Sequence, residues 1–357
     1  MVLTVLALFL RLAAAQGPAP AVEASFRPVR PPVLGFELEG DGTRFRLVEV
    51  DGGRIVAEGG AADCESALVA ALEARYGRGK PNLALPTFGG VQFWGDVLWL
   101  GGWRIQENAL TGACRLLDPG DVRRAWGSFE ACRTALEAER LEHGLPAGGP
   151  RLVILLHGLA RSRASCEPMA QALEEAGFAV AALAYPSTRR SIREHAEQVH
   201  RVLDGLEGVE EVSFVSHSLG GLVARQALAL PGSWREHVRI GRMVMLAPPS
   251  HGSALAASLK DWLPFRVALG PSLRDVAEEA ATIPPPPCPF AIVAAGHGER
   301  GWNPLLQGND DGLLTVEETR LEGAAEFRQV EGLHASLIRN PQAVRFAVEF
   351  LDGGEEP

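Results

Sequence analysis

The chain has 357 residues, 46% of them hydrophobic and 22% charged, with a net charge of -10 at pH 7. That composition builds one large or two modest globular domains with a real core and excludes a disordered chain. The acidic balance, with no basic stripe, excludes a nucleic-acid binder, because a phosphate backbone needs clustered Lys and Arg.

The opening stretch MVLTVLALFLRLAAAQ carries an apolar run from Val2 to Leu10, then three alanines that resemble a cleavage site. An export signal over residues 1–15 is the expectation, which would place the protein in the periplasm or the medium. Arg11 closes the apolar run and no Lys or Arg opens it, so a cytoplasmic or N-terminally membrane-associated protein is the alternative. The run is shorter than the about 20 residues that a bilayer span needs, and no later segment qualifies. Residues 16–32 are proline-rich and read as an extended linker.

Residues 33–145 read as a small α+β domain of unknown role and unknown partner. The stretches RFRLVEVDGGRIVAE and VLWLGGWRIQENALTGACRLLD alternate apolar and polar residues around glycine turns, as strands do. Each is followed by an alanine-rich helical passage, over 61–75 and 129–140, in which Cys64 aligns with Cys132. The alignment suggests a ββα duplication and, in an exported chain, a disulfide between those two cysteines. Cys64, Cys114, Cys132, Cys166 and Cys288 are odd in number and lack C-x-x-C spacing, so no zinc site is indicated. The Gly/Pro break at 145–150 is the expected boundary.

Over 151–352 the pattern changes. Short continuous apolar runs, RLVILL, FAVAALAYP, VSFVS, IGRMVMLAP and FAIVAAG, alternate with helical segments near 165–176, 191–206 and from Leu219. Such runs are what a parallel sheet covered on both faces requires. The expected fold is α/β, a doubly wound and mostly parallel sheet, preceded by the smaller α+β domain. On such sheets chemistry sits just beyond the carboxyl ends of the strands.

The run VSFVS leads through Ser218 into a helix at LGGLVARQALAL, a strand, a tight turn and a helix. In the nucleophile pattern G-x-S-x-G the first glycine is replaced here by Ser216, which adds one hydroxyl. Ser218 is the serine flanked correctly. The first strand ends in LLHGLARS, so the backbone N–H of Leu159, with that of Leu219, is placed to form an oxyanion hole.

A serine hydroxyl needs a base. Of nine histidines, His143, His195, His200 and His237 fall on helices or linkers and are expected to be solvated. His157 and His217 belong to the strand end and the elbow, and His251 and His297 are held in reserve. His334, in QVEGLHASL, follows the last strand-like run and is the favoured base. For the acid, GNDDGLLTVEETR offers Asp310 and Asp311, and Asp311, next to Gly312, is preferred.

The motifs VILLHGL, AYPSTRRSIREHAEQV, SHSLGGLVAR, LAPPSHGSALA, NDDGLLTVE and EGLHASL together resemble the α/β-hydrolase superfamily. The resemblance is to its lipase-like branch, with bacterial triacylglycerol lipases and GPI-inositol deacylase-like hydrolases. It implies a catalytic triad of Ser218, Asp311 and His334, with Leu159 and Leu219 as oxyanion donors and no cofactor. Ala335 and Ser336 follow the histidine where those lipases carry an acidic residue that helps hold calcium, so no metal is implied. The segment LKDWLPFRVALG is expected to be a core helix rather than a cap, which makes long-chain lipid an unexpected substrate. The function expected is a serine esterase or lipase-like hydrolase of small-molecule or lipid esters. An acyltransferase or thioesterase using the same residues, or a non-catalytic binding protein, are the alternatives.

Overall fold

The computed structural model describes residues 26–28, 35–41, 43–60, 63–64, 67–68, 70–71, 92–145, 148–298 and 301–353. The export segment lies outside them, as does most of the helical passage at 61–75. The chain falls into two compact units, Met1–Leu85 with Asp121–Trp126, and Pro86–Gly120 with Gly127–Pro357. Among the described residues, no helix is long and apolar enough to cross a membrane.

In the first unit, strands β1 (Arg27–Pro28), β2 (Phe36–Gly40), β3 (Phe45–Glu49) and β4 (Ile55–Gly59) form an antiparallel sheet in that order. Alternation turns Phe36, Leu38 and Leu47 inward onto Cys64 and Leu68, as a half-buried sheet demands.

The second unit opens with three antiparallel strands, β5 (Trp94–Leu100), β6 (Trp103–Asn108) and β7 (Cys114–Leu117). Strand β8 (Arg123–Gly127) belongs, up to Trp126, to the first unit, and the second resumes with helix α1 (Phe129–His143), which Ser128 caps by accepting the Ala131 N–H at 3.2 Å and left-handed Gly144 ends. The Gly/Pro break at 145–150 lies inside this unit, not at its edge. Trp99 is buried in the core of the following sheet, and the buried Asp96 accepts from the Ala184 N–H at 2.5 Å while its own N–H donates to the Ala184 carbonyl at 2.9 Å. The thiols of Cys64 and Cys132 are both free. Both are buried, and burial pushes the Cys132 thiol up to about 12.

The main sheet has six parallel strands, β9 (Arg151–Leu156), β10 (Ala179–Leu183), β11 (Glu211–His217), β12 (Arg239–Leu246), β13 (Phe290–Gly296) and β14 (Glu326–Glu331). Their order across the sheet is β10-β9-β11-β12-β13-β14. Between and after them run helices α2 (Glu167–Glu175), α3 (Ile192–Asp204), α4 (Leu219–Ala229), α5 (Ala254–Leu259), α6 (Leu263–Leu269), α7 (Pro271–Glu278), α8 (Val316–Thr319) and α9 (Pro341–Asp352). The strands alternate between two cores. Leu152, Ile154 and Phe214 join Val199 of α3 and Leu222 of α4, whereas Val153, Leu155 and Val215 join Met169 of α2 and Phe346 of α9. Both faces being apolar is why each strand reads as an unbroken hydrophobic run. All six strands point the same way, so the segments that follow β9, β11, β13 and β14 emerge at one edge.

Candidate active site

Ser218 sits between β11 and α4 with φ 54° and ψ −123°, a left-handed backbone that a residue with a Cβ adopts at a cost. Its N–H donates to the Leu246 carbonyl at 2.8 Å, which fixes the turn against the next strand. The helix leaves this turn at close quarters. A Cβ on Gly220 would lie 2.5 Å from the Leu156 carbonyl oxygen, and one on Gly221 would lie 3.1 Å from Pro248. The glycines after the serine therefore supply the tight approach. Ser216 is fully buried, with Oγ 3.5 Å from the Val244 carbonyl, so the strand accommodates its hydroxyl where the familiar pattern has glycine.

His334 follows β14, and Asp311 stands on the loop after β13. The imidazole Nδ1 lies 2.7 Å from Asp311 Oδ2, and both side chains are buried. A carboxylate partner assigns the proton to Nδ1, which leaves Nε2 with the lone pair that a general base uses. Asp311 is itself held, because its Oδ1 accepts from the N–H groups of Leu313 at 3.0 Å and Leu314 at 2.8 Å. Asp310 does different work. Its Oδ1 accepts from the N–H groups of Trp302, Asn303 and Gly312 at 3.1, 2.9 and 2.8 Å and so folds the loop. The two adjacent aspartates thus divide into a partner of the imidazole and an organiser of the loop.

Leu159 lies on a turn after β9 in which the Arg161 N–H donates to the Gly158 carbonyl at 3.2 Å and Ala160 has φ 55°. A Cβ on Gly158 would be 3.3 Å from Ser218 Cβ, so this turn abuts the elbow. Leu219 opens α4, where the N–H has no acceptor within the helix. Helix N-termini and such turns offer N–H groups to an anion.

Three other histidines lie behind the site. His217 Nε2 is 2.9 Å from the His334 carbonyl, and an acceptor there assigns the proton to Nε2. Burial, with the neighbouring His334 ring, holds His217 well below its ordinary pKa. His157 stacks on Tyr185, whose hydroxyl donates to the His157 carbonyl, and burial pushes its pKa down to about 4. His195, expected to be solvated, is instead fully buried edge-on to Tyr185, and burial pushes it down to about 3. The helix turns this position inward in line with Ala196 and Val199. His251 and His297 are exposed, and the His297 ring stacks on Trp302, with Nδ1 3.1 Å from Glu331 Oε1.

Residues 151–277 are similar to the family of the alpha/beta hydrolase fold, and four of the six parallel strands lie within them, with Ser218 after the third in sequence. This part of the chain has the α/β-hydrolase fold. Solved structures similar to the α/β-hydrolase domain include the mature lipase BlEst2 of Bacillus licheniformis, at 18% identity and a TM-score of 0.44 over 58% of this chain and 93% of that one. A monoacylglycerol lipase of Paleococcus ferrophilus is 18% identical with a TM-score of 0.39, over 57% and 96%. The metagenomic carboxyl esterase MGS0156 is 17% identical with a TM-score of 0.42, over 58% and 77%. No curated protein matches the chain in sequence.

In the α/β-hydrolase domain, Ser218, His334, Leu159 and Leu219 all line one cavity of about 260 Å³. Its remaining wall is almost wholly apolar and includes Leu255 and Leu259 of α5, Phe265 and Leu269 of α6, and Leu273 of α7. The segment around α6, expected to be a core helix, is a cap. No residue of α6 is buried, and Trp262, Leu263 and Val267 are 60%, 59% and 65% exposed. The helix turns Phe265 and Leu269 to the cavity and the others to solvent, so its apolar sequence serves two surfaces. Ser187 was missed in the sequence because it carries no motif of its own. Its buried hydroxyl accepts the Ala160 N–H at 3.0 Å, beside Leu159.

Proposed function

We propose that the domain is a serine hydrolase of carboxylic esters. One observation carries the reading: a strained elbow serine and a histidine bonded to a buried aspartate border the same apolar cavity. Ser218 Oγ attacks the acyl carbonyl carbon, and its proton passes to Nε2 of His334. Asp311 keeps the Nδ1 proton in place and stabilises the imidazolium that forms. The carbonyl oxygen, now an anion, receives the N–H groups of Leu159 and Leu219. The tetrahedral centre collapses, the alcohol leaves with the proton from His334, and water releases the acid by the same steps.

The cavity walls point to an uncharged, apolar acyl group. At about 260 Å³ the space lies just below the roughly 300–1,000 Å³ of drug-sized sites, so it suits a single acyl chain. The test is labelling by an active-site fluorophosphonate together with hydrolysis of p-nitrophenyl esters. Wild type is labelled at Ser218 and turns over, and Ser218→Ala does neither. Labelling that survives in Ser218→Ala overturns the assignment of the nucleophile.

A further inference from the structure

We infer that Gln92 is a positioning residue for the oxyanion-binding turn, so that the segment ahead of the matched residues 151–277 completes the active site. This rests on the serine-hydrolase reading above. The side chain of Gln92 makes four hydrogen bonds to two loops that flank the cavity. Its Nε2 donates to the Arg161 carbonyl at 2.9 Å. Its Oε1 accepts from Ser187 Oγ at 3.2 Å, from the Thr188 N–H at 3.0 Å and from Thr188 Oγ1 at 3.0 Å. The Thr188 N–H can only donate, so the orientation of the carboxamide is set by its surroundings.

Ser187 passes the constraint on. Its hydroxyl gives its one proton to Gln92 and accepts from the Ala160 N–H at 3.0 Å. Leu159 is therefore bracketed. Ala160 on its C-terminal side is held through Ser187, Arg161 is held by Gln92 directly, and the His157 carbonyl is held by the Tyr185 hydroxyl. The turn needs such ties because Ala160 occupies a left-handed backbone that an unrestrained alanine leaves. Once the carboxamide is lost, Ala160 and Arg161 relax and the Leu159 N–H moves off the position of the developing anion. Gln92 touches no reacting atom; it acts through the turn.

A donor misplaced by about 1 Å costs up to about 10²-fold in rate, and a donor removed outright costs about 10²–10³-fold in kcat. Gln92→Ala is expected to lower kcat on a p-nitrophenyl ester by about 10- to 100-fold with KM nearly unchanged. A role confined to stability would leave kcat of the folded fraction intact. The affinity for a trifluoromethyl ketone, whose adduct carries the oxyanion, is expected to fall in parallel with kcat/KM. If Gln92→Ala does not fold, Ser187→Ala removes the acceptor of the Ala160 N–H alone and is read in the same way. Unchanged kcat and ketone affinity in a folded variant overturn the role of Gln92, while fluorophosphonate labelling of Ser218 leaves the hydrolase reading standing. Wild type that is neither labelled nor active overturns both.

Discussion

Asp311 holds His334 from two directions: its carboxylate lies 2.7 Å from Nδ1, and its main-chain carbonyl accepts the His334 N–H at 2.8 Å. Ring and backbone of His334 are thereby fixed by one residue, and His217 adds a third tie to the His334 carbonyl at 2.9 Å.

Asp311→Asn keeps the backbone tie and inverts the side-chain one, because an amide can present a donor where the imidazole N–H needs an acceptor. A fall in kcat of about 10⁴-fold with an unchanged melting temperature is expected. Asp310→Ala should do the reverse, lowering the melting temperature by removing the acceptor of three N–H groups while leaving the His334 pair in place. Steady-state kinetics and thermal melts on the two variants separate them. Equal loss of activity in both, with no change in melting, would contradict this division of labour.

The elbow makes a contrast between glycine and serine. Gly220→Ala puts a Cβ 2.5 Å from the Leu156 carbonyl, a rigid neighbour, and should abolish soluble expression or activity. Ser216→Gly restores the familiar pattern and should leave turnover unchanged, since the 3.5 Å contact of its hydroxyl is too long to count for much. A large gain in activity on Ser216→Gly would mean the hydroxyl obstructs the turn.

The cap walls one side of the cavity through Phe265 and Leu269. Along a series of p-nitrophenyl esters, kcat/KM should rise by about fourfold per methylene, the equivalent of about 0.8 kcal/mol, until the space is filled. Leu269→Trp fills part of the cavity and should move that plateau to shorter chains without changing labelling of Ser218 by a small fluorophosphonate. A plateau that stays in place would take Leu269 out of the acyl wall.

Buried neutral histidines make the fold sensitive to acid. His157 and His195 are pushed down to about 4 and about 3 by burial, and His217 lies well below its ordinary value. Between those values and about 6.5 the unfolded chain binds protons that the folded one does not, so stability is full above pH 6.5 and falls as pH drops. Each histidine contributes at most about 1.4 kcal/mol per pH unit across its window. Asp96 and Asp275, raised by burial, act in the opposite sense from about 3.9 upward, where the folded chain keeps protons that the unfolded one has lost and stability falls as pH rises. His195→Leu removes one such histidine and should flatten the decline of melting temperature between pH 6.5 and 4. Parallel curves for wild type and variant would exclude His195 from this loss.

The sheet was legible because strands buried on both faces carry continuous apolar runs, and Ser218, Asp311 and His334 because each stands just past such a run. His195 was not, since its neighbours Arg193, Glu194 and Glu197 give the helix a polar look and only the packing against Tyr185 turns that ring inward. The cap escaped because an apolar segment reads alike whether it faces a core, a cavity or solvent, as Phe265, which lines the cavity, and Val267, which is exposed, do on α6. Gln92 lies 69 residues from Arg161 and 95 from Ser187 in a run without a motif, so only the folded backbone brings them together.

The bond between Asp96 and Ala184 has a practical corollary for anyone dissecting the gene. A fragment beginning at Arg151 would look complete by motif, yet it would strip the cover from the end of strand β10, bare the pocket filled by Trp99 and take from the carboxamide of Gln198 one of its two acceptors, the Asp96 carbonyl at 2.9 Å, leaving the Ala184 carbonyl at 3.0 Å. An uncovered sheet margin invites pairing with other molecules. Expression trimmed to the enzyme motifs should therefore end in inclusion bodies, whereas a start at Pro86 retains the sealing strands.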